Sequence, residues 1–252
     1  MNILVSNDDG ILASGIGVLA EVCRSVSEVT VVAPDREQSG ASHSLTLSRP
    51  LRVERLADGS YQIDGTPTDC VLLALGTLLD ARPDFVFSGI NHGPNMGEDV
   101  LYSGTVAAAM EGLSLGIPGV AVSFAGGRTA REAYLATQVP WLERLVRRIT
   151  AVGTFPEETL LNVNLPPIPG NEIRGIRVTT LGNRVFSESL SETRDPWGRK
   201  MFWIGGGRVS WSGREDSDFR AIEEGFVSVT PLHIDLTNYG LLEEVDGWQL
   251  GE

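Results

Sequence analysis

Cysteine is almost missing from this sequence. Only Cys23 and Cys70 occur, far apart and each inside an apolar pattern. That argues against a disulfide scaffold and leaves two buried free thiols as the expectation, with a single disulfide as the alternative. Histidine is nearly as scarce: His43, His92 and His233 are widely spread, and no Cys/His grouping has zinc-ligand spacing. Positive charge is also short, with 20 Lys and Arg against 33 Asp and Glu and a formal net charge of −13. The average field repels a long polyanion, so polymeric nucleic acid is excluded as a partner. A small anionic substrate stays open, because a divalent ion or a helix N-terminus reverses the sign locally. No apolar run approaches the ~20 residues of a membrane span. The first residues lack a basic region, an apolar stretch and a small-residue cleavage site, which points to a cytoplasmic protein. Neither internal repeats nor low-complexity tracts interrupt the 252 residues, of which 42% are hydrophobic.

What the chain does have is organised around its first ten residues. Ile3, Leu4 and Val5 form a short strand-like run that ends at once in Asn7-Asp8-Asp9-Gly10. Adjacent carboxylates repel, and burying them unpaired is costly, so a cation is expected at the tip of this strand. The same residues also suit an ordinary acidic turn. A helix over 14–26, with Ile16, Leu19, Ala20 and Cys23 at helical spacing, and a buried strand over Val29–Ala33 complete a right-handed βαβ unit. Asp58-Gly59 marks a hairpin between 51–56 and 61–63. Thr66, Pro67 and Asp69 read as the cap, first turn and capping partner of a helix running to about Leu79. Further strands are expected at 85–88, 119–123, 160–164, 176–180 and 226–229, the last stopped by Pro231. Helices are expected at 105–115 and as one long element over 129–149. The frame is therefore α/β: a Rossmann-like, mostly parallel sheet with helices on both faces. Residues 1–182 form this core. Residues 183–252 read as an arm followed by a segment that packs back on the core. Within 183–213, Trp197, Trp203 and Trp211 sit in a polar, glycine-rich hairpin, as in an arm reaching a partner subunit or a partly ordered insertion.

Ligands bind such sheets outside the carboxyl ends of the strands. That rule gathers the chemistry. Asp8 and Asp9 follow the first strand, Ser39 and Ser42 lie in the loop after the second, and Asn91 and Asn95 lie in the loop after 85–88. Asp8, Asp9, Ser39 and Asn95 offer only oxygen ligands, which suit a hard divalent cation such as Mg²⁺ or Mn²⁺. Ser103-Gly104-Thr105 leads straight into a helix, where free N–H groups and hydroxyls can cradle a phosphoryl group or simply cap the helix. Around Ser39, Arg36, His43 and Ser44 belong either to the same site or to a solvated loop. Gly15-Ile16-Gly17 lies too far beyond the first strand to be a dinucleotide fingerprint.

Several segments together resemble the SurE family of survival proteins: Ser6 to Gly10, Pro34-Asp35-Arg36 with Ser39 to Ser42, Gly65 to Cys70, Ser88 to Gly97, Tyr102 to Gly112 and Gly225 to Leu232. The resemblance runs along nearly the whole chain. It implies a metal-dependent nucleotidase acting on nucleoside 5′- and 3′-monophosphates, with some action on short polyphosphate, and a swapped arm supporting a homodimer or homotetramer. It places metal ligands on Asp8, Asp9, Ser39 and Asn95 and phosphate contacts on Ser103, Gly104 and Thr105, with one Mg²⁺, Mn²⁺ or Co²⁺ per subunit. Phe226 stands where the family often has tyrosine. Both lines lead to phosphomonoester hydrolysis with Asp8 and Asp9 at its centre, by water or, alternatively, by Asp8 as a covalent nucleophile. A transferase using a metal-held diphosphate donor and a non-catalytic nucleotide sensor are the rival readings.

Overall fold

In the computed structural model, which describes residues 1–186, 190–204 and 209–250, the first strand sits near the middle of a nine-stranded sheet. The elements in order are β1 (Asn2–Ser6), α1 (Ser14–Arg24), β2 (Glu28–Pro34), β3 (Val53–Arg55), β4 (Tyr61–Ile63), α2 (Pro67–Leu73), β5 (Phe85–Asn91), α3 (Gly104–Ser114), β6 (Gly119–Phe124), α4 (Arg128–Tyr134), α5 (Val139–Val152), β7 (Thr159–Leu165), β8 (Gly175–Val178), β9 (Asn183–Phe186), β10 (Leu190–Arg194), β11 (Lys200–Ile204), β12 (Val209–Ser212), α6 (Asp218–Glu223), β13 (Phe226–His233) and α7 (Leu242–Asp246). The sheet order is β3-β4-β2-β1-β5-β6-β7-β13-β8. Only the β3/β4 and β7/β13 pairs are antiparallel.

The apolar run of β1 is continuous because both faces of the sheet are covered. Ile3 and Val5 enter a core shared with Ile16 and Leu19 of α1 and Leu142 and Val146 of α5. Leu4, one residue out of phase, enters the opposite core with Val71 of α2 and Ala108 of α3. Phe85 and Phe87 against Val86 repeat the alternation in β5. Neighbouring registers place the ends of the strands side by side, with Ser6 opposite Ser88 and Ser123 opposite Asn164. The loops that follow β1, β2, β5 and β6 therefore open on one edge.

Two expectations are corrected, and a third is met in extent with a change of geometry. The long helix over 129–149 is broken: α4 ends at Tyr134, a 3₁₀ turn spans Leu135–Gln138, and α5 starts at Val139. Pro140 has no N–H to continue the ladder. The break turns the fully buried Gln138 amide toward the carbonyls of Pro166 (2.8 Å) and Ile168 (2.6 Å). Pro231 does not stop the last strand, since β13 runs on to His233. Past Val229 it pairs only with β7, so the missing donor faces an unpaired side. His233 consequently ends that strand and meets Glu158 at 3.4 Å. The helix from Pro67 holds α geometry only to Leu73 and widens to a π turn over Ala74–Leu78. Its capping box is present: the Asp69 N–H donates to the Thr66 hydroxyl (3.1 Å) and the Thr66 N–H to the Asp69 carboxylate (2.9 Å).

Both cysteines are buried free thiols. No helix among the described residues is long and apolar enough to cross a membrane. Beyond β8 the chain forms two antiparallel pairs, β9 with β12 and β10 with β11. The turn at Asp195–Gly198 closes the second, with Asp195 accepting from the N–H groups of Trp197 and Arg199.

Candidate active site

Asp8 and Asp9 stand at the end of β1, and Asp8 is only 3% exposed. The start of α3 packs directly on it. A β-carbon on Gly104 would lie 2.8 Å from the Asp8 β-carbon, so only glycine lets the helix come this close. The Thr105 hydroxyl donates to Asp8 Oδ1. The Asp8 carbonyl accepts from the Gln38 N–H at 2.7 Å, tying the loop after β2 to the same corner. Asp9 is held from the other side: the His92 N–H donates to its Oδ2 at 3.0 Å, and His92 Nδ1 lies 3.1 Å from its Oδ1.

Burial pushes the Asp8 carboxyl above the usual carboxylate range, against the stabilising hydrogen bonds from Thr105. Burial and then the Asp8 charge push Asp9 up to about 7; Glu37 adds to this and Arg131 opposes it. Both adjacent acids are shifted toward the protonated form, because burial disfavours their charged forms and little positive charge stands beside them to offset it. Asn7 adds a buried carbonyl oxygen, Oδ1, with no partner among the described residues.

Asn95 is held by four hydrogen bonds. Its amide nitrogen donates to Ser123 Oγ (2.8 Å), its N–H donates to Asn164 Oδ1 (3.0 Å), and its carbonyl accepts from Asn162 Nδ2 (2.8 Å) and Asn164 Nδ2 (3.0 Å). The Asn95 side-chain oxygen is thereby left uncommitted. Ser39 is exposed and donates to Glu37 at 2.7 Å. Ser42 bridges to the α3 side, its N–H to the Tyr102 carbonyl (3.2 Å) and its hydroxyl to the Leu101 carbonyl (3.1 Å). Asn91 turns its amide to the Gly93 carbonyl (2.9 Å). Ser103 caps α3, accepting from the Val106 N–H at 3.0 Å. His43 faces Glu111 of α3 at 2.8 Å. Gly15 is a packing residue, since a β-carbon there would lie 2.1 Å from the Ile90 carbonyl oxygen.

The structure thus brings Asp8, Asp9, Gly104 and Thr105 into one corner and hangs the Ser39–Ser42 and Asn91–Asn95 loops around it. Among the described residues, neither Ser39 nor Asn95 hydrogen-bonds to Asp8 or Asp9. The donor set fits a hard divalent cation: two buried carboxylates short of positive charge, the orphaned oxygen of the preceding Asn7 and the free Asn95 oxygen. Among the described residues, no three or more His, Cys, Asp or Glu side chains come together as a metal site, so any cation here would rest on the two carboxylates with amide and hydroxyl oxygens. Sequence reading did not single out Ser123, Asn162, Asn164, Glu37 or Arg131. The pair of asparagines two residues apart at the end of a buried strand was the available signal.

The family described as Survival protein SurE matches residues 3–188. A relative named 5′-nucleotidase SurE from Gemmatimonas aurantiaca is 63% identical over 98% of this chain and 98% of its own length. A relative of the same name from Pelobacter propionicus is 50% identical over 98% of this chain and 99% of its own. The crystal structure of SurE protein from Aquifex aeolicus is similar with a TM-score of 0.83 at 40% identity, covering 98% of this chain and 99% of that one.

Proposed function

We propose, from the premise that this chain belongs to the SurE family, that it is a 5′-nucleotidase, a phosphoric monoester hydrolase that converts nucleoside monophosphates to nucleoside and phosphate. The finer reading is a metal-dependent enzyme that accepts 5′- and 3′-monophosphates and short-chain polyphosphate. It carries one Mg²⁺, Mn²⁺ or Co²⁺ per subunit on Asp8, Asp9, Ser39 and Asn95, and works in the cytoplasm. The observation that carries this is the buried pair Asp8 and Asp9, both shifted toward the protonated form at the ligand-binding edge of the sheet. When bound, the cation supplies charge neutralisation of the phosphate and a water of lowered pKa for in-line attack.

The chain's own residues do the rest. Thr105 fixes the Asp8 carboxylate, His92 fixes Asp9, and Ser123, Asn162 and Asn164 fix Asn95, so the residues that would hold the cation are preorganised. At the first turn of α3, next to Asp8, the Gly104 N–H and the Ser103 hydroxyl receive phosphate oxygens. Ser39, Ser42 and Asn91 line the approach. Water is favoured over Asp8 as nucleophile, because Asp8 is held by the Thr105 hydroxyl and pressed against Gly104.

The test is phosphate release from a panel of nucleotides in EDTA and after adding back Mg²⁺, Mn²⁺ or Co²⁺. Release should stop in EDTA and return with the ion. Asp8→Asn should abolish it while leaving the melting transition cooperative. Full activity of that variant under strict metal control would overturn the site.

A further inference from the structure

Asp218 opens α6, and its side chain is fully buried. Backbone N–H groups meet it there. Oδ2 accepts from Gly97 (2.8 Å), and Oδ1 accepts from Gly182 (2.9 Å) and Phe219 (2.8 Å). A carboxylate out of water is tolerated when its oxygens are satisfied in this way. One side chain thus joins three pieces of chain: its own helix, the root of the arm at Gly182, and the segment two residues beyond Asn95. The seam between them is tight. Gly97 has a φ of +53°, and a β-carbon there would lie 2.6 Å from the Gly182 carbonyl oxygen. Met96, between Asn95 and Gly97, is buried with Phe219 and Ile222 of α6, and Trp211 of β12 stacks on Phe219 with 5.7 Å between ring centroids. The Glu98 carboxylate accepts from the Arg184 N–H at 2.6 Å.

Asn95 is therefore held from two sides. Ser123, Asn162 and Asn164 fix it to β6 and β7 through neutral hydrogen bonds. The three residues that follow it are held by the segment 182–222, and there the acceptor for Gly97 is a carboxylate, which makes a stronger tie than a neutral one. The direction in which the chain leaves Asn95 is set at that contact. We propose that Asp218 is a positioning residue for the cation site, holding Asn95 in place through the Gly97 N–H. This rests on the metal-dependent nucleotidase reading above and adds to it a residue 123 positions further along the chain, on a helix that touches neither Asp8 nor Asp9 through any hydrogen bond among the described residues.

The test variant is Asp218→Asn. Its amide oxygen can keep the bonds from Gly182 and Phe219, but its NH₂ then meets the Gly97 N–H donor to donor, so the tie to the Asn95 segment is the one that breaks. The comparison variant is Ile149→Val, a core change in the last turn of α5, which leads to the start of β7 and so to the opposite edge of the sheet. In metal-free Asp218→Asn, hydrogen exchange at the Gly97 amide should speed up by about tenfold, the scale of one lost bond to a charged group. Calorimetry should show Mn²⁺ affinity weakened by about tenfold, the scale for losing a group that orients a metal ligand. The Mn²⁺ concentration for half-maximal release of phosphate from AMP should rise equally, with kcat largely recovered at saturating Mn²⁺. Ile149→Val should lower the melting temperature and leave Mn²⁺ affinity at the wild-type value. If Asp218→Asn does not fold, Gly97→Ala opens the same seam from the other side and should weaken Mn²⁺ binding alike. Wild-type Mn²⁺ affinity in the variant that folds would overturn the proposal, and so would an equal loss in Ile149→Val or an unchanged Gly97 exchange rate in Asp218→Asn. If wild type bound Mn²⁺ but released no phosphate from any nucleotide, the nucleotidase reading would fall, and the affinities and exchange rates would still decide the role of Asp218. Wild type that bound no divalent ion would overturn both.

Discussion

The carboxyl group of Asp9 titrates near neutrality in the folded chain, at about 7 instead of 3.8. Its contribution follows in sign from linkage: the folded state binds the proton more tightly than the unfolded one. The stabilisation is complete below about pH 4 and is lost as pH rises through about 7. Asp8 is shifted in the same direction. Metal-free protein should therefore melt at a lower temperature at pH 8 than at pH 5, and Asp9→Asn should flatten much of that slope. Added Mn²⁺ favours the charged acids, so the rise in melting temperature that it produces should be larger at pH 8. A metal-free melting temperature with the same pH slope in wild type and Asp9→Asn would contradict the burial argument. At this scale the sequence was informative where chemistry is contiguous. Asp8 and Asp9 are neighbours, and their conflict can be read directly. Asn162 and Asn164 could not be attached to Asn95 in the same way, because that depends on the register of β6 against β7. Glu37 and Arg131 act through space across loops, which no spacing rule encodes.

Among the elements, α3 combines two tasks at its first turn. Ser103 caps it through the Val106 N–H, while Gly104 and Thr105 meet Asp8. Ser103→Ala should lower stability by about 1 kcal/mol, the usual cost of losing such a cap, seen as a lower urea midpoint. It should also weaken binding of the phosphate ester, because the Ser103 hydroxyl is lost and the frayed turn no longer holds the Gly104 N–H in place, while Mn²⁺ affinity is retained. Wild-type kinetics in this variant would refute a phosphate cradle at α3. The elements that the sequence announces are those with local punctuation: Thr66 and Asp69 at α2, Asp58-Gly59 at the hairpin, and the apolar run of β1. Those that differ from expectation answer to distant partners. Pro140 and Gln138 divide a helix because residues 166–170 need the Gln138 amide, and Pro231 stays in a strand because β8 ends before reaching it.

Across the whole molecule, the β10–β11 pair carries Phe202, Trp203 and Ile204 outward, with Ile204 89% exposed. Such an apolar edge suits burial against another copy of the chain, and we propose a homodimer or homotetramer built through residues 183–213. Replacing Trp203 and Ile204 together by serine should shift the protein to a smaller species in sedimentation velocity; an unchanged distribution would refute this role. The root of the arm is clamped to the site. Buried Asp218 accepts from the N–H groups of Gly97 (2.8 Å) and Gly182 (2.9 Å), and Arg184 pairs with Asp99. Movement of the arm therefore bears on the loop that presents Asn95. The order of the sheet has one more consequence. β13 lies between β7 and β8, yet it is translated after the entire arm. While the polypeptide leaves the ribosome, β7 is a bare margin and β8 has nothing to pair with, although every residue assigned here to chemistry has already emerged. Closure of the scaffold waits for the last thirty or so residues, and until they arrive the nascent protein must be kept from joining its open margin to that of a neighbour.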